Sequence, residues 1–213
     1  MEKSMNKYSV LIVAGPSGVG KTAVAKAIIE KDPRFTFLRS ATTRPMRDDA
    51  NKDEYLHCSE DQFRDLIARG EMLEHMVYDG CMYGTPKSEV ERAHSEGKIP
   101  LLVLDLNGVD SLYNSPVCHT CAVFLYASEN TVNDRLATRE GATADKVASR
   151  KVRNKEDYLR LPSLAYAFYA LIPNDRTLAD CRDAVIDTFL AFEGGEKRSE
   201  TVELKVNELT KNN

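Results

Sequence analysis

The sequence predicts an α/β fold, a mostly parallel sheet wrapped on both faces by helices, and three observations carry that expectation. Short, continuously apolar runs recur: "YSVLIVAG" at 8–15, "IPLLVLDLNG" at 99–108, "TCAVFLYAS" at 120–128 and, more weakly, "AFYALIPND" at 167–175. Runs of this kind suit central strands covered on both faces. Helical patterns fill the intervals at 21–31, 86–97, 129–137, 143–159 and 178–192. Buried strands alternating with amphipathic helices build an open parallel sheet. Finally, 213 residues, 42% hydrophobic and 29% charged, suffice for one domain with a substantial core.

The stretch from Phe35 to Val90 breaks this rhythm. Shorter alternating pieces, "EYLHC" and "EMLEHMVYD", flank the helical "SEDQFRDLIARG", which has a capping Ser59 start and a Gly70 stop. An inserted lobe of mixed character is expected there. Residues 138–153 are polar and cationic and suit a mobile flap. The end of the chain is polar; Val202, Leu204 and Val206 alternate, and the segment is expected to be a frayed extension.

The bulk properties exclude several classes. A net charge of −4 and a pI near 5.7 argue against a generic basic surface for nucleic acid, so any anion site must come from local cation clusters. The first apolar run is too short for a signal-peptide core or a membrane span, and a cytoplasmic protein is expected. Five cysteines in a chain of this length do not suggest a disulfide framework. Cys118 and Cys121 form a C-x2-C pair with no second pair at zinc-site spacing, and are read as reduced thiols in a buried strand.

"GPSGVGKT", residues 15–22, directly follows the first strand and opens a helix. It matches G-x-x-x-x-G-K-[ST] in the context that gives the motif meaning. Gly15, Pro16, Ser17, Gly18, Val19 and Gly20 let backbone N–H groups curl around phosphate oxygens, and the helix N-terminus adds a favourable field. Lys21 brings a point charge to the outer phosphates, and the Thr22 hydroxyl suits Mg²⁺. The pattern marks a nucleoside triphosphate site on a P-loop NTPase-type sheet. It does not choose an acceptor, since GTPases, motor ATPases and several kinases share it.

"SATTRPMR", residues 40–47, sets three hydroxyls and two arginines in eight positions. Arg44 and Arg47 offer planar forked donors, suited to a monophosphate dianion. Taken alone, the stretch fits a solvated surface loop equally well.

In their order along the chain, "LIVAGPSGVGKT", "SATTRPMR", "EYLH", "GEMLEHMVYDGCMYGT", "LDLNG", "REG" with Arg150 eleven residues beyond Arg139, and "IPND" resemble the guanylate kinases. The resemblance runs from about Ser9 to Phe192. It implies a parallel sheet flanked by helices, an inserted mixed α/β GMP-binding lobe and a helical lid. It also implies ATP with Mg²⁺ as phosphoryl donor and GMP as acceptor. The expected division is an extension over 1–8, a domain over 9–192 and a polar tail over 193–213. Within the domain, the core is 9–34, 93–128 and 160–192, the lobe about 35–92 and the lid about 129–159. No nucleic acid or membrane partner is expected.

Carried over residue by residue, the resemblance gives Arg44, Arg47, Tyr55 and Tyr83 the acceptor phosphate. Ser40, Glu74, Thr85 and Asp105 take the guanine. An ionised carboxylate accepts only, matching the adjacent N1–H and 2-amino donors of guanine, whereas adenine presents a lone pair at N1. Lys21, Arg44 and the lid residues Arg139 and Arg150 are the expected catalytic set, with Arg135 a weaker third lid arginine. Thr22 is the expected metal ligand, and Asn174, next to Asp175, lies by the adenine of ATP. Two departures stand out. Val103 replaces the first of two aspartates expected before Asn107-Gly108, and the loop at 48–54 is one residue short, without its usual glycine and with Asp48 and Asp49 beside the phosphate site.

Two rivals differ in chemistry. Guanylate-kinase-like scaffold domains grip peptides, but they generally have an eroded P-loop. A kinase of phosphorylated sugars would not need Ser40, Glu74 and Asp105 together.

Overall fold

The computed structural model describes residues 8–46, 55–78, 80–138 and 142–211. Two sheets organise them. The larger has five parallel strands: β1 (Tyr8–Ala14), β2 (Phe35–Phe37), β7 (Ile99–Val103), β8 (Cys118–Tyr126) and β9 (Phe168–Pro173), in the order β2-β7-β1-β8-β9. The smaller is mixed: β3 (Ser40–Thr42), β4 (Tyr55–His57), β5 (Met72–Tyr78) and β6 (Cys81–Pro86), in the order β4-β3-β6-β5.

The unbroken apolar run of β1 follows from burial on both faces. Val10, Ile12 and Ala14 join one core, with Leu106, Val109 and Leu112 of α4 (Leu106–Tyr113) and Val90 and Ala93 of α3 (Lys87–Ser95). Leu11 and Val13 join the other, with Val24 and Ile28 of α1 (Lys21–Lys31) and Val185 and Phe189 of α7 (Leu178–Glu193). Cys118 packs in the first core and Cys121 in the second, so this pair lies on opposite faces of one strand and all five thiols are free. Burial pushes the Cys121 thiol up to about 12, so it stays protonated near neutral pH.

Helix starts follow the sequence closely. Ser59 caps α2 (Glu60–Ala68) in a reciprocal box with Gln62; Ser128 caps α5 (Glu129–Ala137), Thr143 caps α6 (Ala144–Arg160), and Thr177 caps α7 in a box with Asp180. A 3₁₀ helix, Leu161–Ala167, follows α6.

Three segments differ from expectation. β2 pairs with β7, so the core sheet continues to Phe37 rather than stopping at residue 34. The run at 99–108 splits: β7 ends at Val103, and Asp105 caps α4 through its Oδ1, 2.9 Å from Gly108 N. The expected frayed end is α8 (Thr201–Lys211), with Val202 and Val206 buried and Leu209 packed beside them. Spacings of four and three put these on one helical face. Leu204, which made the segment look alternating, is 64% exposed.

The join between β3 and α3 is ionic. Glu89 is 3% exposed and accepts from Arg39 Nη2 at 2.6 Å, Arg39 N at 3.1 Å and Arg92 Nη2 at 3.0 Å. Burial works against its charge, but the two guanidinium groups win and hold its carboxyl at about 2. The clamp fixes the backbone immediately before Ser40.

Candidate active site

Gly20 opens α1 with φ 103°, and this N-terminus has no side-chain cap and no acidic residue in its first turn. Its orphan N–H groups and positive field are thus left for an anion. A Cβ on Gly20 would meet Asn174 Nδ2 at 2.8 Å, so neither the backbone angle nor the space admits a larger residue.

Side chains hold several of the loop's carbonyls, and two of the amides expected to face phosphate are already paired, Ser17 N with Asn154 Oδ1 at 2.7 Å and Val19 N with Pro16 O at 3.3 Å. Val19 O accepts from Asn174 Nδ2 at 2.7 Å and Arg135 Nη1 at 2.9 Å. Arg135 Nη2 reaches Asn174 O at 3.0 Å. Ser17 is gripped from both sides by Asn154 of α6: Ser17 N donates to Oδ1 at 2.7 Å, and Nδ2 donates to Ser17 O at 2.9 Å. Lys21 Nζ lies over the loop, 2.7 Å from Gly15 O and 3.1 Å from Pro16 O. Asp175 Oδ1 accepts from Ser128 N at 2.9 Å and Thr131 Oγ1 at 3.0 Å, at the start of α5.

Strand register assembles the second half. Ser40 pairs with Tyr55, Thr42 with His57 and Tyr83, and Glu74 with Thr85. Paired residues share a face, and every second residue returns to it. Ser40, Tyr55, Tyr83, Thr85 and Glu74 therefore line one face of the small sheet. The opposite face carries Ala41 and Gly84, against Phe63 of α2, where a Cβ on Gly84 would stand 3.1 Å from the Phe63 ring.

On the lining face, Thr85 Oγ1 donates to Glu74 Oε1 at 2.7 Å. Burial pushes the Glu74 carboxyl up; the Thr85 hydroxyl opposes this, and nearby Asp105 adds to the rise. Tyr55 and Tyr83 meet edge to face with centroids 6.3 Å apart, and the Arg44 guanidinium lies 5.0 Å from the Tyr55 ring centre. Arg44 Nε is buried with no hydrogen-bond partner among the described residues. A buried unpaired donor is costly, and a phosphate oxygen would remove that cost.

A cleft of about 860 Å³ joins the halves, with Thr22 and Lys26 on one side and Ser40, Arg39 and Tyr55 on the other. Asp105 stands at the C-terminal end of β7, where ligands bind in open α/β sheets. Arg150 lies on α6, one turn before Asn154. Arg47, Arg139 and the loop at 48–54 lie outside the described residues.

Sequence reasoning missed His57 and Asn154. His57 Nδ1 lies 2.9 Å from Arg44 O, steadying the residue that carries the unpaired donor. Asn154 had one available signal, its four-residue spacing from Arg150 on a helix.

The fold and this two-sided site are those of a P-loop kinase. The family model "Guanylate kinase" matches residues 7–184. Relatives named guanylate kinase include that of Lactobacillus acidophilus, 34% identical over 188 residues (85% of this chain, 89% of the relative). That of Helicobacter pylori is 31% identical over 163 residues (76% and 79%). A solved guanylate kinase from Anaplasma phagocytophilum superposes with a TM-score of 0.60 at 20% identity, covering 95% of this chain and 93% of that one. The chain belongs to the guanylate kinase family, whose reaction is the ATP-dependent phosphorylation of GMP to GDP. Among the described residues, no helix is long and apolar enough to cross a membrane.

Proposed function

We propose that this chain transfers the terminal phosphate of ATP to GMP in the cytoplasm, acting on free nucleotides, and that the sites are divided as follows. ATP lies on residues 15–22, with Lys21 at its outer phosphates. Asn174 and Arg135 serve it by bracing Val19. GMP lies on the small sheet, its phosphate on Arg44, Arg47, Tyr55 and Tyr83 and its guanine on Ser40, Glu74, Thr85 and Asp105. The observation that carries the reading is the shared face of the small sheet, whose Ser40 and Tyr55 line the same cleft as Thr22.

Among the described residues no cluster of three or more histidine, cysteine or acidic side chains could hold a metal. The exposed Thr22 hydroxyl in that cleft suits an ion bound chiefly through nucleotide phosphates. Thr22 would hold Mg²⁺, which supplies charge neutralisation on the phosphates. The protein then acts by positioning and electrostatics: the acceptor phosphate oxygen is itself the nucleophile, so no general base is required. Arg44 fixes that oxygen. Arg150, on the helix that Asn154 docks against Ser17, and Arg139 would spread and neutralise the transferring charge.

A coupled assay of ADP release across GMP, AMP, CMP and UMP tests the assignment. GMP is expected to be preferred over the others by about 10⁴-fold in kcat/KM, since a site built on buried hydrogen bonds rejects bases that leave them unpaired. Equal rates with AMP, or none with any nucleotide, would refute it.

A second result concerns acid. A carboxyl whose pKa is raised loses its charge at a higher pH than an ordinary glutamate, and protonated Glu74 would present a donor to guanine N1–H. The KM for GMP should therefore climb as pH falls through that raised value, while the KM for ATP holds. The GMP phosphate also titrates near pH ~6, so Glu74→Gln is the control that leaves only the ligand's share. Identical profiles in the two proteins would show that Glu74 does not meet the base.

A further inference from the structure

Helix α6 does more than carry Arg150. Arg150, Asn154 and Asp157 fall at i, i+4 and i+7, one stripe of the helix. Asn154 is pinned to Ser17 by its two amide bonds, so the stripe is turned toward the P-loop. One turn beyond Asp157, Arg160 Nη2 donates to Asn107 Oδ1 at 2.9 Å, two residues past Asp105. Tyr158, 6% exposed, packs edge-on against Phe124 of β8 with centroids 6.1 Å apart and locks the helix rotation. Asp157, on this stripe, is half-buried and within the electrostatic reach of Lys21 and Asp105. The strand on which the resemblance expects a further carboxylate has Val103 there instead.

We propose that Asp157 is a positioning residue for phosphoryl transfer, its carboxylate orienting the Lys21 ammonium from α6. This rests on the function proposed above. Lys21 carries its ammonium on a flexible stem, with Nζ 2.7 Å from Gly15 O and 3.1 Å from Pro16 O. A carboxylate within the field of the ammonium sets the direction of the stem before the triphosphate arrives, which lowers the reorganisation left for the transfer step. The electrostatics agree. Burial pushes the Asp157 carboxyl up, Lys21 and Arg160 draw it down, and Asp105 and Glu156 push it up again. A half-buried acid facing a P-loop lysine and a second carboxylate is a functional arrangement more than a stabilising one.

The test is Asp157→Asn, nearly the same shape without the charge, with Asp157→Ser as a second variant and melting temperatures measured for both. Expected is a fall in kcat of about 10- to 100-fold, with the KM for ATP unchanged or lowered, because a negative charge near the triphosphate has gone. Asp157→Glu should recover part of the loss. In a Lys21→Ala background, Asp157→Asn should change kcat by less than about twofold, the non-additivity expected of residues acting as a unit. The inference is overturned by wild-type kcat in the Asn and Ser variants, by the same loss in both backgrounds, or by losses that follow the melting temperature. Wild-type protein without GMP-dependent turnover would instead remove the functional reading itself.

Discussion

Lys21→Ala is expected to lower kcat by about 10³-fold, the upper range for removing one preorganised charge-stabilising donor, while GMP binds as before. The separation follows from placement. Lys21 begins α1 and lies over Gly15 and Pro16, whereas the proposed GMP contacts come from β3 to β6 and Asp105. A residue used only in the transfer step lowers kcat and kcat/KM together without touching affinity for the other substrate. Calorimetric titration of the variant with GMP alone, beside steady-state rates, reads both quantities. Loss of GMP affinity would mean that the donor and acceptor sites have been exchanged.

Glu74→Gln should act in the opposite sense, on the acceptor. The ionised side chain offers only acceptors, one already facing the Thr85 hydroxyl at 2.7 Å. Glutamine keeps one acceptor and turns an N–H₂ toward a base edge made of donors. The buried mismatch should cost about 10³-fold or more in kcat/KM for GMP, mostly through KM, with the KM for ATP preserved. AMP should not become a good substrate, because the Thr85 and Asp105 acceptors remain. Steady-state kinetics with both nucleotides decides it. A GMP KM within about twofold of wild type would remove Glu74 from the base site.

The core sheet and most helices were legible because their signals are local and redundant. β1 is buried on both faces and so reads as an unbroken apolar run, and α2, α5, α6 and α7 each begin at a side chain that caps. α4 was hidden because its first residues continue the apolar run at 99–108. α8 was hidden because Leu204 mimics a strand period. The acceptor half is a different case. β3 and β4 are three residues each, too short for periodicity to show which side chains share a face, so that half rested on the order of motifs. Asn154 and Asp157 are polar residues in a strongly polar helix, and only the contact of α6 with Ser17 shows which way they point.

In the proposed function two nucleotides meet in one cleft, one held by main-chain amides and one by the face of a small sheet. A crystal structure with GMP and a non-hydrolysable ATP analogue tests it most directly. Expected are the guanine edge on Glu74, the GMP phosphate on Arg44 Nε, and the triphosphate on residues 15–22 with Lys21 turned to it. A guanine ring away from Glu74, or both nucleotides stacked on the P-loop side alone, would contradict it.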